Sequence, residues 1–262
     1  MVGDSALIGS GCWSVARNVD CTLCSARARG DWRGLTSEEM AQLNRQKSCR
    51  VYAKGGVIFR QGQDCQGVYC VFSGLIALYR SDSAGNRILV RLVLPGQVLG
   101  YRAILAGPAH SLTADVLAES RVCFVPKTSL EHMMGQTPRF FEAFCLRLGE
   151  ELSAAEDTLL QTIAMPVRSR FIILLLRLSS HYAVHGEGGF VMTLPITRQS
   201  MADMLGIRPE TIARIIRSLT SDVLVNFEGR TVHVSSAERL FDEVGEYLSD
   251  NQRAHHGVLK AG

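Results

Sequence analysis

Apolar residues in the last third of the chain recur at helical spacing. Ile212, Ile215, Ile216 and Leu219 fall at i, i+3, i+4 and i+7, one face of an α-helix. Glu210, Ala213, Arg214 and Arg217 repeat the spacing two residues earlier, ~200° around the same helix. One face is built for burial and the other for presentation. Upstream, Thr197 suits the N-cap of a short helix that carries Met201, Met204 and Leu205 inward. Gly206 suits a left-handed end, and Pro209 suits the first turn of the next helix. A short helix, a glycine turn and a charged second helix predict a helix-turn-helix. A helical hairpin in an enzyme core is the alternative, but two arginines and a glutamate on one face serve a core poorly. They serve a major groove well, because arginine bonds guanine bidentately and glutamate accepts from cytosine N4. Two short apolar runs, 224–227 and 231–234, flank Glu228-Gly229-Arg230 and read as a hairpin wing.

Earlier in the chain the period changes. Thr36 and Glu39 match a capping box, opening a helix that carries Leu35, Met40 and Leu43 and ends near Lys47. From Cys49 to about residue 130, short apolar runs at 57–59, 68–72, 75–79, 88–94 and 122–125 alternate with glycine turns, among them Ser73-Gly74 and Pro95-Gly96. That texture predicts an all-β barrel or sandwich. Pro138 then opens a long helix with an apolar stripe of Phe140, Phe141, Phe144, Leu148, Leu152, Ala155, Leu159 and Ile163. Such a helix calls for a partner, its own copy in a homodimer, unless it lies wholly on its own barrel. Met165-Pro166 breaks it, 167–182 forms another helix, and 183–189 reads as a loop. The expected class is α+β, in four parts: a cysteine-containing segment (1–34), a β-roll (35–137), a dimerisation helix (138–165) and a winged helix-turn-helix (166–262).

Composition adds little until residues are placed. The 262 residues are 47% hydrophobic and 20% charged, with a net charge of +3, ordinary for a globular protein and too small an excess to indicate nucleic acid by itself. The clustering says more, since Arg198, Arg208, Arg214, Arg217 and Arg230 all lie near the proposed reading helix. No apolar run of ~20 residues exists to span a membrane, and the first residues lack the basic start and long apolar core of a signal peptide. A cytoplasmic location is expected, where thiols stay reduced. The eight cysteines at 12, 21, 24, 49, 65, 70, 123 and 145 are then buried thiols, redox sensors, or ligands of a metal or cluster. No hydrolase-like spacing of nucleophile and base is present, and no enzyme is expected.

The order of β-roll, long helix and winged helix-turn-helix resembles the CRP/FNR family of bacterial transcription regulators. The resemblance is carried by Gly55-Gly56 through Gly62, Val71-Phe72-Ser73-Gly74, Leu94-Pro95-Gly96 through Gly100, and Pro209-Glu210-Thr211-Ile212-Ala213-Arg214. It implies a homodimer that binds inverted-repeat promoter DNA and works with RNA polymerase, which the 82–87 loop would face. Glu210 and Arg214 would read a G·C pair in a half-site like TTGAT, with Ala213 where the family has a serine. Thr197, Arg198 and Arg217 would position phosphates, with Arg208 beside them. In the cyclic-nucleotide branch a carboxylate follows the glycine at Gly100 and an Arg-Ser pair binds phosphate. Here those places hold Tyr101 and His110-Ser111, so cyclic AMP is not expected. The branch of the fumarate–nitrate regulator holds a [4Fe-4S] cluster on four cysteines. Cys21, Cys24 and Cys123 match three of them, while the remaining one falls on Gly30, leaving Cys12 to supply the fourth, or Asp20 and Asp31 as oxygen donors. Cys49, Cys65, Cys70 and Cys145 read as core or near-surface thiols. Buried thiols without a cluster, or a haem or small-ligand sensor using Tyr101, His110 and His132, are the alternatives.

Overall fold

The computed structural model describes residues 13–15, 20–24, 30–85 and 87–247. The chain divides into two compact units, Met1–Arg147 and Leu148–Gly262.

Two long strands are the spine of the first unit. β4 (Gly67–Ser81) and β7 (Thr113–Pro126) pair antiparallel along nearly their whole length. Around them the sheet runs β1 (Trp13–Val15), β2 (Ser48–Tyr52), β7, β4, β5 (Arg87–Val93), with β3 (Val57–Phe59) on β7 and β6 (Val98–Leu99) on β4. The sequence pattern predicts two strands meeting at a Ser73-Gly74 turn, but the chain runs straight through as one strand. Gly74 instead accommodates a bulge. Its φ is 99°, and a Cβ there would stand 2.2 Å from Ser120 Oγ and 2.4 Å from Glu119 O, so only glycine fits.

Strand parity splits the side chains between two cores. Tyr69 and Val71 of β4 and Val122 of β7 fill the interior of the roll with Ile58, Phe59 and Leu99. Val68 and Val125 point the other way, into a helical layer with Trp32, Met40, Leu43, Leu130, Phe140 and Phe144. That layer is α1 (Ser37–Gln46), α3 (Lys127–Gln136) and the start of α4 (Pro138–Ala164); a short α2 (Tyr101–Ala106) precedes β7. The capping box of α1 is complete: Thr36 Oγ1 accepts from Glu39 N, and the Glu39 carboxylate accepts from Thr36 N at 2.6 Å. α2 and α3 escape the sequence pattern because each is short and is held by the strands it packs on.

In the second unit α5 (Val167–Tyr182) buries Phe171, Ile172, Leu175 and Leu176. The wing is larger than a hairpin. β10 (Val225–Glu228) and β11 (Thr231–Val234) are extended by β9 (Phe190–Thr193) and β8 (Ala183–His185) into a four-stranded antiparallel sheet. β8 therefore begins where the polar sequence suggests a loop. α6 (Arg198–Leu205), α7 (Pro209–Ser221) and α8 (Ala237–Asp242) complete the unit. No helix among the described residues is long and apolar enough to cross a membrane.

Candidate thiol pocket and reading helix

Cysteines from four separate stretches meet on the helical side of the roll. Cys21 opens a 3-10 turn, Cys21–Leu23, whose Asp20 cap accepts from Thr22 N at 2.8 Å. The Cys21 amide donates to Asn44 Oδ1 of α1 at 3.1 Å, docking the segment on that helix. Cys24 closes the turn through its own amide to Cys21 O. In the sheet, Cys49 of β2 stands directly opposite Cys123 of β7, and Cys123 directly opposite Cys70 of β4. Directly paired residues point to the same face, so three thiols form one row across three adjacent strands. Cys49 Sγ and Cys123 Sγ lie 2.9 Å apart.

A pocket opens over this row, lined by Cys21, Cys24, Cys70 and Cys123 together with Gly30, Trp32 and Lys47. Burial pushes the Cys21 thiol up to about 11, against the pull of the Lys47 ammonium. Burial raises Cys70 further, while the Cys49 thiol beside it and then burial raise Cys123. All three are neutral thiols at pH 7 until something that prefers thiolate replaces their protons. Lys47 is buried and its Nζ lies 3.6 Å from Cys49 Sγ. The Trp32 indole Nε1 is buried and makes no hydrogen bond of full geometry, although it stands close enough to Cys70 to favour the thiolate.

Among the described residues no three His, Cys, Asp or Glu side chains converge tightly enough to hold a single metal ion. The thiols ring a pocket instead of meeting at a point. A soft, thiol-rimmed cavity with a buried N–H donor and a buried lysine suits an anionic, sulfide-rich group larger than one ion. Cys12 lies outside the described residues. The two carboxylates considered as oxygen donors are committed elsewhere. Asp31 accepts from Val98 N at 2.7 Å and faces Arg147 Nη1 at 3.5 Å, and Asp20 holds Thr22.

The pocket wall continues into α4. Trp32 packs against Phe140 and Phe144, ring centroids 6.0 and 5.3 Å away, and Phe144 stacks on Tyr101 at 5.6 Å. With the Asp31–Arg147 pair, these contacts tie the neighbour of the thiols to the first turns of the long helix. Farther along α4 the apolar stripe is bare: Leu152 and Leu159 are each 62% exposed and Ile163 78%. The sequence stripe therefore has two fates, Phe140 and Phe144 buried in the unit and the later leucines uncovered.

On the other side of the sheet, a second pocket is lined by Phe59, Gly100, Tyr101, Arg102, His110 and Ser111 among others. His110 is buried and stacks on Phe59 at 3.8 Å; burial pulls its pKa down to about 4, so it is neutral at pH 7. His132 is exposed on α3 and does not line this pocket.

The helix pair has the geometry its sequence predicts. Thr197 Oγ1 accepts from Ser200 N at 3.1 Å to cap α6, and Gly206 ends it at φ 64°. Ile207 N returns to Ala202 O at 3.0 Å, and Pro209 starts α7. Ile212, Ile215, Ile216 and Leu219 are buried. Glu210, Arg214 and Arg217 are exposed, Ala213 is half-buried between them, and Thr197, Arg198 and Arg208 are exposed nearby. Two arginines of α5 hold the pair in place. Arg170 Nη1 donates to Leu205 O at 3.1 Å, while Arg168 bonds Ser218 Oγ and meets Asp222 Oδ2 at 2.7 Å. Nothing local in the sequence marks either one, since α5 carries Arg177 as well and charge alone does not show which arginine reaches a neighbouring helix.

Comparison with known proteins agrees with this architecture. Residues 49–137 match the cyclic nucleotide-binding domain family and residues 169–242 the Crp-like helix-turn-helix domain, together more than half of the chain. The transcriptional activator protein FnrL of Cereibacter sphaeroides is 29% identical over 231 residues, covering 86% of this chain and 92% of FnrL. A fumarate and nitrate reduction regulatory protein of Vibrio cholerae is 23% identical over 192 residues, 73% of this chain and 76% of that protein. Among solved structures, FixK2 of Bradyrhizobium japonicum superposes with a TM-score of 0.67 at 28% identity, covering 75% of this chain and 96% of FixK2. The roll, the capped helix pair and its wing thus share their order with regulators along most of their length, and the chain belongs to the CRP/FNR family of DNA-binding transcription regulators, which are not enzymes.

Proposed function

We propose that this regulator senses oxygen, nitric oxide or redox state at the thiol pocket and transmits the signal through α4 to a homodimer that binds inverted-repeat promoter DNA. The observation that carries the reading is the meeting of Cys21, Cys24 and Cys123, remote in sequence, around one pocket whose wall is Trp32. These thiolates would hold a [4Fe-4S] cluster. Such a cluster, when bound, supplies reactivity toward oxygen and nitric oxide that thiols alone lack. The chain's own part is mechanical. Trp32 and Asp31 answer to the state of the pocket, and they press on Phe140, Phe144 and Arg147 at the base of α4. The bare leucines beyond form a seam for the same helix of a second copy, so a shift at the base changes how two copies pair.

In the paired state, two reading helices are held one DNA turn apart, ~34 Å. Glu210 and Arg214 read base edges and Ala213 meets a thymine methyl, while Thr197, Arg198, Arg208 and Arg217 position phosphates. Contact with RNA polymerase through the 82–87 loop belongs to the same reading, and the cytoplasm is its setting. Cyclic AMP does not suit the roll's own pocket, where Tyr101 replaces a carboxylate and a neutral, buried His110 replaces an arginine. The names of relatives, FnrL and fumarate and nitrate reduction regulatory protein, support the redox signal.

The test is anaerobic purification followed by iron and sulfide assay and by DNA binding before and after air. The expected result is a brown protein with about four irons per chain whose preference for an inverted-repeat duplex falls on exposure to air. A colourless, iron-free protein removes the cluster. Replacing Leu152 and Leu159 by Glu in the same protein should leave its iron and abolish its dimer. The short Cys49–Cys123 distance favours a second reading, a dithiol switch without iron; thiol titration showing two thiols lost on mild oxidation of the iron-free protein would select it.

A further inference from the structure

We propose that Cys70 is the fourth thiolate of the iron–sulfur site, doing from the sheet what Gly30 cannot do from the N-terminal segment. The inference rests on the cluster reading above and names the ligand set of that pocket. Gly30 and Cys70 line the same pocket, the first without a donor atom and the second with a thiol. Register leaves Cys70 little choice of direction. It pairs directly with Cys123 across β4 and β7, and the alternation of β4 sends Tyr69 and Val71 into the roll and Val68 and Cys70 toward the helical layer. Cys70 lines the same pocket as Cys21, Cys24 and Cys123 and stands directly across from Cys123 in the sheet. The buried Trp32 N–H lies beside Cys70, close enough to favour its thiolate, a donor suited to a metal-bound sulfur.

The remaining candidates are placed elsewhere. Cys49 shares the row but does not line the pocket, and its sulfur faces Lys47. The Cys65 thiol donates to Gly67 O at 3.3 Å, and Cys145 is exposed on α4. Asp31 is held by Arg147 and the Val98 amide. When iron binds, Cys70 gives up its thiol proton to solvent and forms an Fe–S bond, with no change in the oxidation state of its sulfur.

The experiment is anaerobic reconstitution of the full chain with ferrous iron and sulfide, read by iron and sulfide per chain and by the electron paramagnetic resonance spectrum after reduction. Wild type, Cys70→Ser, Cys12→Ser, Cys65→Ser and the double variant Cys70→Ser with Gly30→Cys are compared, with circular dichroism confirming the fold of each. The expected result is about four irons in wild type and in Cys65→Ser, and roughly half or less in Cys70→Ser, or a changed spectrum. Gly30→Cys should restore the wild-type iron content, which a merely misfolded Cys70→Ser could not show. Full iron and an unchanged spectrum in Cys70→Ser overturn the inference while leaving the cluster standing, all the more if Cys12→Ser loses iron. An iron-free wild type overturns both.

Discussion

The thiol pocket and the reading helix perform their parts under opposite constraints. Everything α7 presents lies on one helix, at intervals the helix itself sets, and in the proposed reading each exposed side chain would meet its own target. The pocket draws Cys21 and Cys24 from a 3-10 turn, Cys70 from β4 and Cys123 from β7, and none of these is of use alone. Loss of one group should therefore remove a single contact on the helix but a large part of the bound cluster in the pocket. The surroundings differ as well. The charged groups of α7 stand in water, while burial raises the Cys21 and Cys70 thiols and keeps them protonated at pH 7.

The sharpest way to break this contrast is Cys123→Ser. Cys123 sits in the middle of the thiol row, and the expected outcome is loss of essentially all bound iron, measured by iron assay after anaerobic reconstitution. A protein that keeps most of its iron would make the pocket as tolerant of a single loss as the helix. Trp32→Ala comes next. Trp32 is 4% exposed and holds two phenylalanines of α4, so its truncation should cost ~3–5 kcal/mol in the denaturant unfolding of the first unit. Arg214→Ala should weaken binding by ~1–3 kcal/mol and relax preference at one base pair only. A competition assay against singly substituted duplexes decides this, and equal weakening on every sequence would assign Arg214 to phosphate.

The smallest effect concerns the end of α7. Val223 has φ 55°, a left-handed conformation that a β-branched side chain adopts at a cost, and its side chain is 71% exposed. Val223→Gly should raise stability by about 1 kcal/mol, seen as a higher denaturation midpoint with unchanged DNA specificity. An altered specificity would mean that the end of α7 takes part in reading, and would narrow the difference between the two regions.

Much of the molecule is legible in short-range spacing. The α6–α7 pair, its Thr197 cap, the Gly206 turn and the capping box of α1 depend on residues within a few positions of one another, and short-range spacing records them. At Gly74 the pattern predicts a turn because glycine marks both turns and bulges, and only the neighbouring strand, with Ser120 in the way, tells them apart. β8 was hidden because an edge strand of three residues leaves too few positions for an alternation to show.

The chain order, the presented face of α7 and the stripe on α4 follow from the sequence alone, since each is a local period that any folded form of these residues must honour. Which cysteines meet did not. Cys49, Cys70 and Cys123 are separated by 21 and 53 positions, and nothing local distinguishes them from Cys65. Their row exists because β2, β7 and β4 lie side by side in one register, and a shift of a single residue would turn Cys70 into the roll. The tertiary structure alone decides that pairing, because register is fixed by the packing of both faces of the sheet at once.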